Sequence, residues 1–128
     1  MRSIVFAILT LAATGLLGAC GHTAKPAPAA QMASGEKVVI TQGTWNAFIN
    51  YKQWLMPKSY SAPVGEGYFA VTKDGRGWGL AGCPDNSCDM GSLHESDAIN
   101  ECSTRNGGAP CMIFAHQDQI VVPYEIAQ

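Results

Sequence analysis

The sharpest chemistry in the chain lies near its start, at Leu17-Gly18-Ala19-Cys20. A leucine three positions before a cysteine, with two small residues between, has the form of a lipobox. Processing at such a site cuts before the cysteine and leaves a lipid on its sulfur. On this reading Cys20 becomes the first mature residue and anchors the protein to a membrane through a thioether. The alternative is ordinary signal cleavage, with Cys20 left as a free thiol.

Assigning Cys20 to lipid leaves an even set, Cys83, Cys88, Cys102 and Cys111. An exported chain meets an oxidising compartment, and a small domain gains much from crosslinks because its core alone leaves little margin. Four cysteines allow three connectivities, and spacing favours one. A local bond from Cys83 to Cys88 would close the polar turn Pro84-Asp85-Asn86-Ser87, and a Cys102 to Cys111 bond would pin a helix to the strand after it. A zinc site built from Cys83, Cys88, His94 and Cys102 is disfavoured, since structural zinc sites use closer cysteine pairs and Cys111 would be stranded. Four residues between Cys83 and Cys88 are also too many for a thioredoxin-like motif.

Other reactive side chains do not converge. His94 and His116 fall in the first turn of a helix and in a hairpin turn, and no nucleophile elbow or paired-histidine helix accompanies them. Asp85, Asp89, Glu95, Asp97 and Glu101 form an acidic stretch with no Lys or Arg among them. It reads as a solvated face. As a calcium loop it fails, because Gly91 comes one place late and no bidentate glutamate follows. No catalytic residue, metal ligand or cofactor is therefore assigned.

The elements that must carry these residues fit one small domain. Residues 1–19 hold a single charge at Arg2 and an apolar run from Ile4 to Leu17, too short and too weakly flanked for a good membrane span, and read as a lipoprotein signal peptide. Gly21 is not the aspartate that retains such proteins at the inner membrane, so the expected location is the outer membrane, facing either the periplasm or the exterior. Residues 20–37 are rich in Ala and Pro, lack aromatic side chains and read as a disordered tether. Flexible-chain scaling gives it a reach of roughly 20–25 Å. Residues 38–128 form the domain. The chain carries 8 Lys and Arg against 10 Asp and Glu, for a net charge of −2, and loss of Arg2 makes the mature form −3. With no basic run, nucleic acid is excluded as a partner.

Within the domain, Val38-Val39-Ile40 is β-prone, and Thr41 or Thr44 can cap a helix that runs to about Met56, where Pro57 ends it. Trp45, Phe48, Ile49, Leu55 and Met56 share one side of that helix, and Ala47, Tyr51 and Trp54 lie on its flank and back. So wide an apolar surface implies either packing on two sides or an aromatic patch at Tyr51 and Trp54 offered to a partner. A strand over residues 68–72 leads to Asp74-Gly75, the preferred pair for a two-residue hairpin turn, and a return strand over residues 76–81. Phe69, Val71, Trp78 and Leu80 are its inward candidates. Ser92 with Glu95 has the capping-box pattern for a second helix, with Ala98, Ile99 and Cys102 on one face and Asn106-Gly107-Gly108 as its stop. A third strand over residues 111–115 turns at His116-Gln117-Asp118 into an edge strand over residues 119–122, limited by Pro123. The fold class is α+β: a small antiparallel sheet of hairpins with two helices, stapled by disulfides.

From Tyr68 onward the pattern Phe69-Ala70-Val71, Asp74-Gly75-Arg76, Trp78-Gly79, Ala98-Ile99 leading to Cys102, and Cys111 followed by Ile113 resembles a group of small exported bacterial domains of unknown function. The likeness covers roughly half of the mature chain. It implies a compact α+β fold, an envelope location and a bond between Cys102 and Cys111, with Cys83 and Cys88 an addition to the pattern. It transfers no active site. The expected role is a non-enzymatic module that binds an envelope protein or cell-wall partner, and the alternative is a cell-wall-directed or host-directed enzyme or enzyme inhibitor.

Overall fold

A computed structural model describes residues 36–57, 59, 63–84, 88 and 93–128. The expected lipobox and signal peptide, Ser92, Asp85 and Asp89 lie outside the described residues, as does all but the end of the expected tether. The elements are β1 (Val38–Ile40), α1 (Gln42–Leu55), β2 (Glu66–Thr72), β3 (Trp78–Cys83), α2 (Glu95–Arg105), β4 (Cys111–His116), β5 (Gln119–Ile120) and β6 (Tyr124–Ile126). Four strands form an antiparallel sheet in the order β3-β2-β4-β5, and β1 pairs in parallel with β6. The domain is thus α+β, with mixed sheets, two helices and two disulfides.

Strand alternation explains why the sheet is covered on both faces. Phe69, Val71, Met112 and Phe114 meet Phe48, Tyr51 and Leu55 of α1, with Trp78 and Leu80 packed against them. Ala70 and Cys111, with Tyr68, Ala81 and Ile113, meet Ala98 and Cys102 of α2 on the other face. The four inward candidates of the hairpin therefore share the α1 face. A register shift between Phe69 and Ala70 sets Phe69 opposite Ala115 and Ala70 opposite Ile113, so Phe114 is the extra residue of a bulge in β4. The bulge lets Phe114 and Ala115 both enter the α1-side core.

Helix α1 begins where its threonines place it. Thr41 Oγ1 accepts the Thr44 N–H at 3.2 Å, capping a free amide of the first turn. Thr44 in turn donates its hydroxyl to the Gly75 carbonyl at 2.8 Å, and the Thr41 N–H donates to the same oxygen at 3.1 Å. The hairpin tip is thereby fastened to the helix start. At the other end Met56 is extended ahead of Pro57, as the proline requires.

The β2–β3 connection is wider than the two-residue turn read from Asp74-Gly75. Thr72 N–H donates to Gly77 O at 3.0 Å across a four-residue loop, residues 73–76, in which Gly75 alone has positive φ, at 68°. The cause is the Asp74 carboxylate. It accepts the Thr72 hydroxyl at 2.6 Å and the Arg76 N–H at 3.2 Å, while Thr72 Oγ1 accepts the Gly77 N–H at 2.9 Å. This side-chain network supplies a ready alternative to the tight turn. The Thr72 hydroxyl, followed by the Arg76 amide, holds the Asp74 carboxyl below the ordinary carboxylate range. Because the folded value is depressed, the stability it adds is present above the unfolded carboxylate pKa and is lost as pH falls through the folded value. Asp74→Asn should flatten that acid limb in pH-dependent urea unfolding. An unchanged acid limb would remove Asp74 from the acid response.

Helix α2 starts at Glu95, and the carboxylate that reaches back is Asp97, which accepts the His94 N–H at 2.8 Å. Glu95 does not have the capping-box role assigned to it, because the helix starts one residue after His94 and puts Asp97 at its third position. The stop is as read: Gly107 and Gly108 have φ of 67° and 85°, and Gly108 N–H donates to Ser103 O at 2.8 Å. The last strand is shorter than expected. β5 ends at Ile120, and the chain crosses at Pro123, whose carbonyl accepts the Val38 N–H at 3.0 Å, to run as β6 beside β1.

Candidate functional site

The two cysteine pairs are Cys83–Cys88 and Cys102–Cys111, the connectivity that spacing favours. Cys102 and Cys111 are wholly buried between α2 and the sheet, and Cys83 is buried while Cys88 is exposed. These thiols are spent on structure. Among the described residues no group of three or more His, Cys, Asp or Glu side chains is placed to hold a metal ion.

His94 and His116 are exposed and line neither of the two concavities described below. His94 occupies the N-cap of α2. The His116 ring stacks on Tyr68, its cross-strand neighbour, with centroids 4.5 Å apart and planes within 8°. Glu101 pairs with Arg105 one turn along α2 at 3.7 Å, so the acidic stretch is partly neutralised by its own helix.

The aromatic pair on α1 divides. Tyr51 is only 2 % exposed and belongs to the core, where its ring contacts those of Phe48 and Phe69. It cannot form part of an exposed patch, because it lies three residues after Phe48 and so falls on the sheet-facing side. Its hydroxyl is buried, with no hydrogen-bond partner among the described residues, beside Gly67, where a Cβ would come within 2.8 Å of the oxygen. Burial first, then the nearby Asp118 and Tyr68, raise its pKa far above the ordinary phenol value, so Tyr51 stays neutral. Trp54, by contrast, is 42 % exposed. Its six-membered ring lies over Gly82 of β3, where a Cβ would stand 2.9 Å from Trp54 Cζ3.

Trp54 closes one end of a groove of about 410 Å³ between α1 and β3. Gly43, Asn46, Ala47, Asn50, Tyr51 and Trp54 form the helix side, and Trp78 and Leu80 form the sheet side. The helical spacing makes the first wall a stripe. Asn46, Asn50 and Trp54 recur every fourth residue, about 6 Å apart along the axis. Asn46 Oδ1 accepts from Gln42 Nε2 at 3.0 Å, which leaves its amide donors free, and the Asn50 side chain has no hydrogen bond among the described residues. Trp78 stacks on Phe69 at 5.7 Å with the Arg105 guanidinium 4.2 Å from its ring centroid, so its position is held from two elements. Among the described residues, no carboxylate, imidazole, thiol or ammonium lines this groove.

The asparagines are the residues that sequence reasoning missed. Their spacing before Trp54 was a visible signal, but Trp78 and Leu80 join them only through the tertiary fold. A second concavity, of about 420 Å³, lies at the β2–β3 loop among Thr72, Lys73, Asp74, Arg76, Asn106 and Pro110. Its one acidic group is already engaged by Thr72 and Arg76.

Comparison with known proteins adds no relative: no family model, no curated protein and no solved structure matches this chain.

Proposed function

We propose that this chain is a lipid-anchored envelope protein whose domain is a non-enzymatic binding module, with the α1/β3 groove as its binding face. The address rests on Leu17-Gly18-Ala19-Cys20 and on Gly21 after it. The observation that carries the binding role is the groove lining: indole, phenol, amide and aliphatic surface, with no carboxylate, imidazole, thiol or ammonium among the described residues to transfer a proton or attack a bond. A largely preformed concave surface with a few polar groups is what recognition of a small or extended ligand uses.

Two measurements test the two halves. Mass spectrometry of the mature protein should find a lipid-modified N-terminal Cys20, and Cys20→Ala should leave the membrane fraction; an unmodified Cys20 sinks the anchor. A photo-crosslinking residue at position 50 should capture a defined envelope partner or ligand in intact cells, while the same probe at exposed Thr104 should not. Equal capture at both positions removes the groove as the binding face.

A further inference from the structure

We propose that the α1/β3 groove binds an uncharged glycan, a short run of hexopyranose rings, with Trp54 as its stacking platform and Asn46 and Asn50 as its hydrogen-bonding rim. This inference rests on the groove being the binding face and adds what the groove holds.

The charge of the lining excludes most other ligands. Six helix residues and two strand residues meet there, and none is ionised, since Tyr51 is kept neutral by burial. A metal cation would find no carboxylate among the lining residues, and the cation nearest a phosphate or carboxylate ligand, the Arg105 guanidinium on Trp78, is already shared with Glu101. A purely aliphatic ligand fits poorly as well, because covering Asn46 and Asn50 would strip two amides of water without replacing its hydrogen bonds.

A pyranose ring meets these conditions together. Its C–H face is apolar enough to lie on an indole, and its rim carries hydroxyls that both donate and accept. Each asparagine amide likewise offers two N–H donors and one acceptor oxygen. Among the described residues the Asn50 side chain makes no hydrogen bond, and Asn46 uses only its oxygen. The helical spacing sets the two amides and Trp54 in a line, on the scale of one ring per turn. Trp54 is supported for this role. Gly82 lies beneath its six-membered ring with no side chain to lift it, and the residue retains 42 % exposure. A polyproline run also favours aromatic grooves, but it has no N–H to give the Asn50 oxygen and would engage only the amide donors.

The test is a fluorescence titration of the mature full-length protein in detergent with tetra-N-acetylchitotetraose. The expected result is a saturable change in tryptophan emission. Trp54→Ala should weaken binding at least tenfold and Asn50→Ala about three- to tenfold, the latter following from loss of one or two ligand hydrogen bonds. Gln53→Ala, an exposed change outside the groove lining, should leave the affinity unchanged. Circular dichroism establishes that each variant is folded, and Asn50, being exposed, provides the readout if Trp54→Ala proves unstable. Absence of saturation, an affinity unmoved by Asn50→Ala, or tighter binding of a polyproline peptide overturns the glycan. If the sugar fails while the position-50 probe still captures a protein in cells, the glycan is lost and the binding module stands. If both fail, both are lost.

Discussion

Gly79→Ala is expected to cost the domain about 3 kcal/mol, the upper end of what overpacking a core by one methyl usually does. Gly79 sits on β3 opposite Ala70, and the backbone of α2 at Cys102 lies directly over it. A Cβ there would overlap the Cys102 amide nitrogen and Cα, which are main-chain atoms that cannot swing aside as a side chain would. The helix is not free to lift, because the same Cys102 is bonded to Cys111 on β4. Relief must come from tilting α2 off β3, which would open the small cluster of Ala70, Ala98, Cys102 and Cys111. Gly107→Ala separates this from a general intolerance of side chains at glycine positions. Gly107 has positive φ but nothing within 4 Å of a built Cβ, so its cost should be only the left-handed backbone penalty, about 1–2 kcal/mol. Urea unfolding followed by circular dichroism compares the two. If Gly79→Ala unfolds at the wild-type midpoint, the close approach of helix and strand is not a constraint on the fold.

That approach also shows which parts of the fold local reasoning reaches. The α1 limits were legible, because Thr41 and Met56-Pro57 act on their nearest neighbours, and so was the α2 stop at Gly107 and Gly108. The inward set Phe69, Val71, Trp78 and Leu80 followed from strand alternation. The width of the hairpin loop did not, since Thr72 and Asp74 outweighed the intrinsic preference of Asp-Gly for the tighter turn. Tyr51 was misplaced because α1 is apolar around so much of its surface that a wheel alone does not choose the buried side, and Phe48, three residues earlier, proved the better guide. The β1–β6 pairing joins three-residue segments from opposite ends of the domain, too short and too distant to leave a periodic signal. At the groove, the asparagine spacing on α1 was readable, and its partners on β3 were not, because nothing local says which strand lies under a helix flank.

The two disulfides should separate sharply in both stability and reducibility. Replacing Cys102 and Cys111 together by alanine is expected to remove about 2.5–3 kcal/mol by freeing a loop of nine-residue separation in the unfolded chain. A further loss comes from the space two fully buried sulfurs leave beside Ala70 and Ala98. Cys83→Ala with Cys88→Ala frees a shorter loop, a separation of five, and should cost about 2 kcal/mol on the same chain-entropy reasoning. Accessibility widens the difference. Cys88 is exposed and open to an attacking thiolate, whereas both sulfurs of the other pair lie under α2. Under native conditions a mild thiol reductant, followed by alkylation and mass spectrometry, should label Cys83 and Cys88 first. Label should reach Cys102 and Cys111 only in urea concentrations that unfold the domain. Early labelling of Cys102 would mean that α2 opens locally from the sheet without global unfolding, and the tight seat on Gly79 would then be a feature of the ground state alone. Label confined to the Cys83 pair, together with a large penalty for Gly79→Ala, would make α2, β3 and β4 one cooperative unit, with the groove on the opposite face built on a support that does not yield.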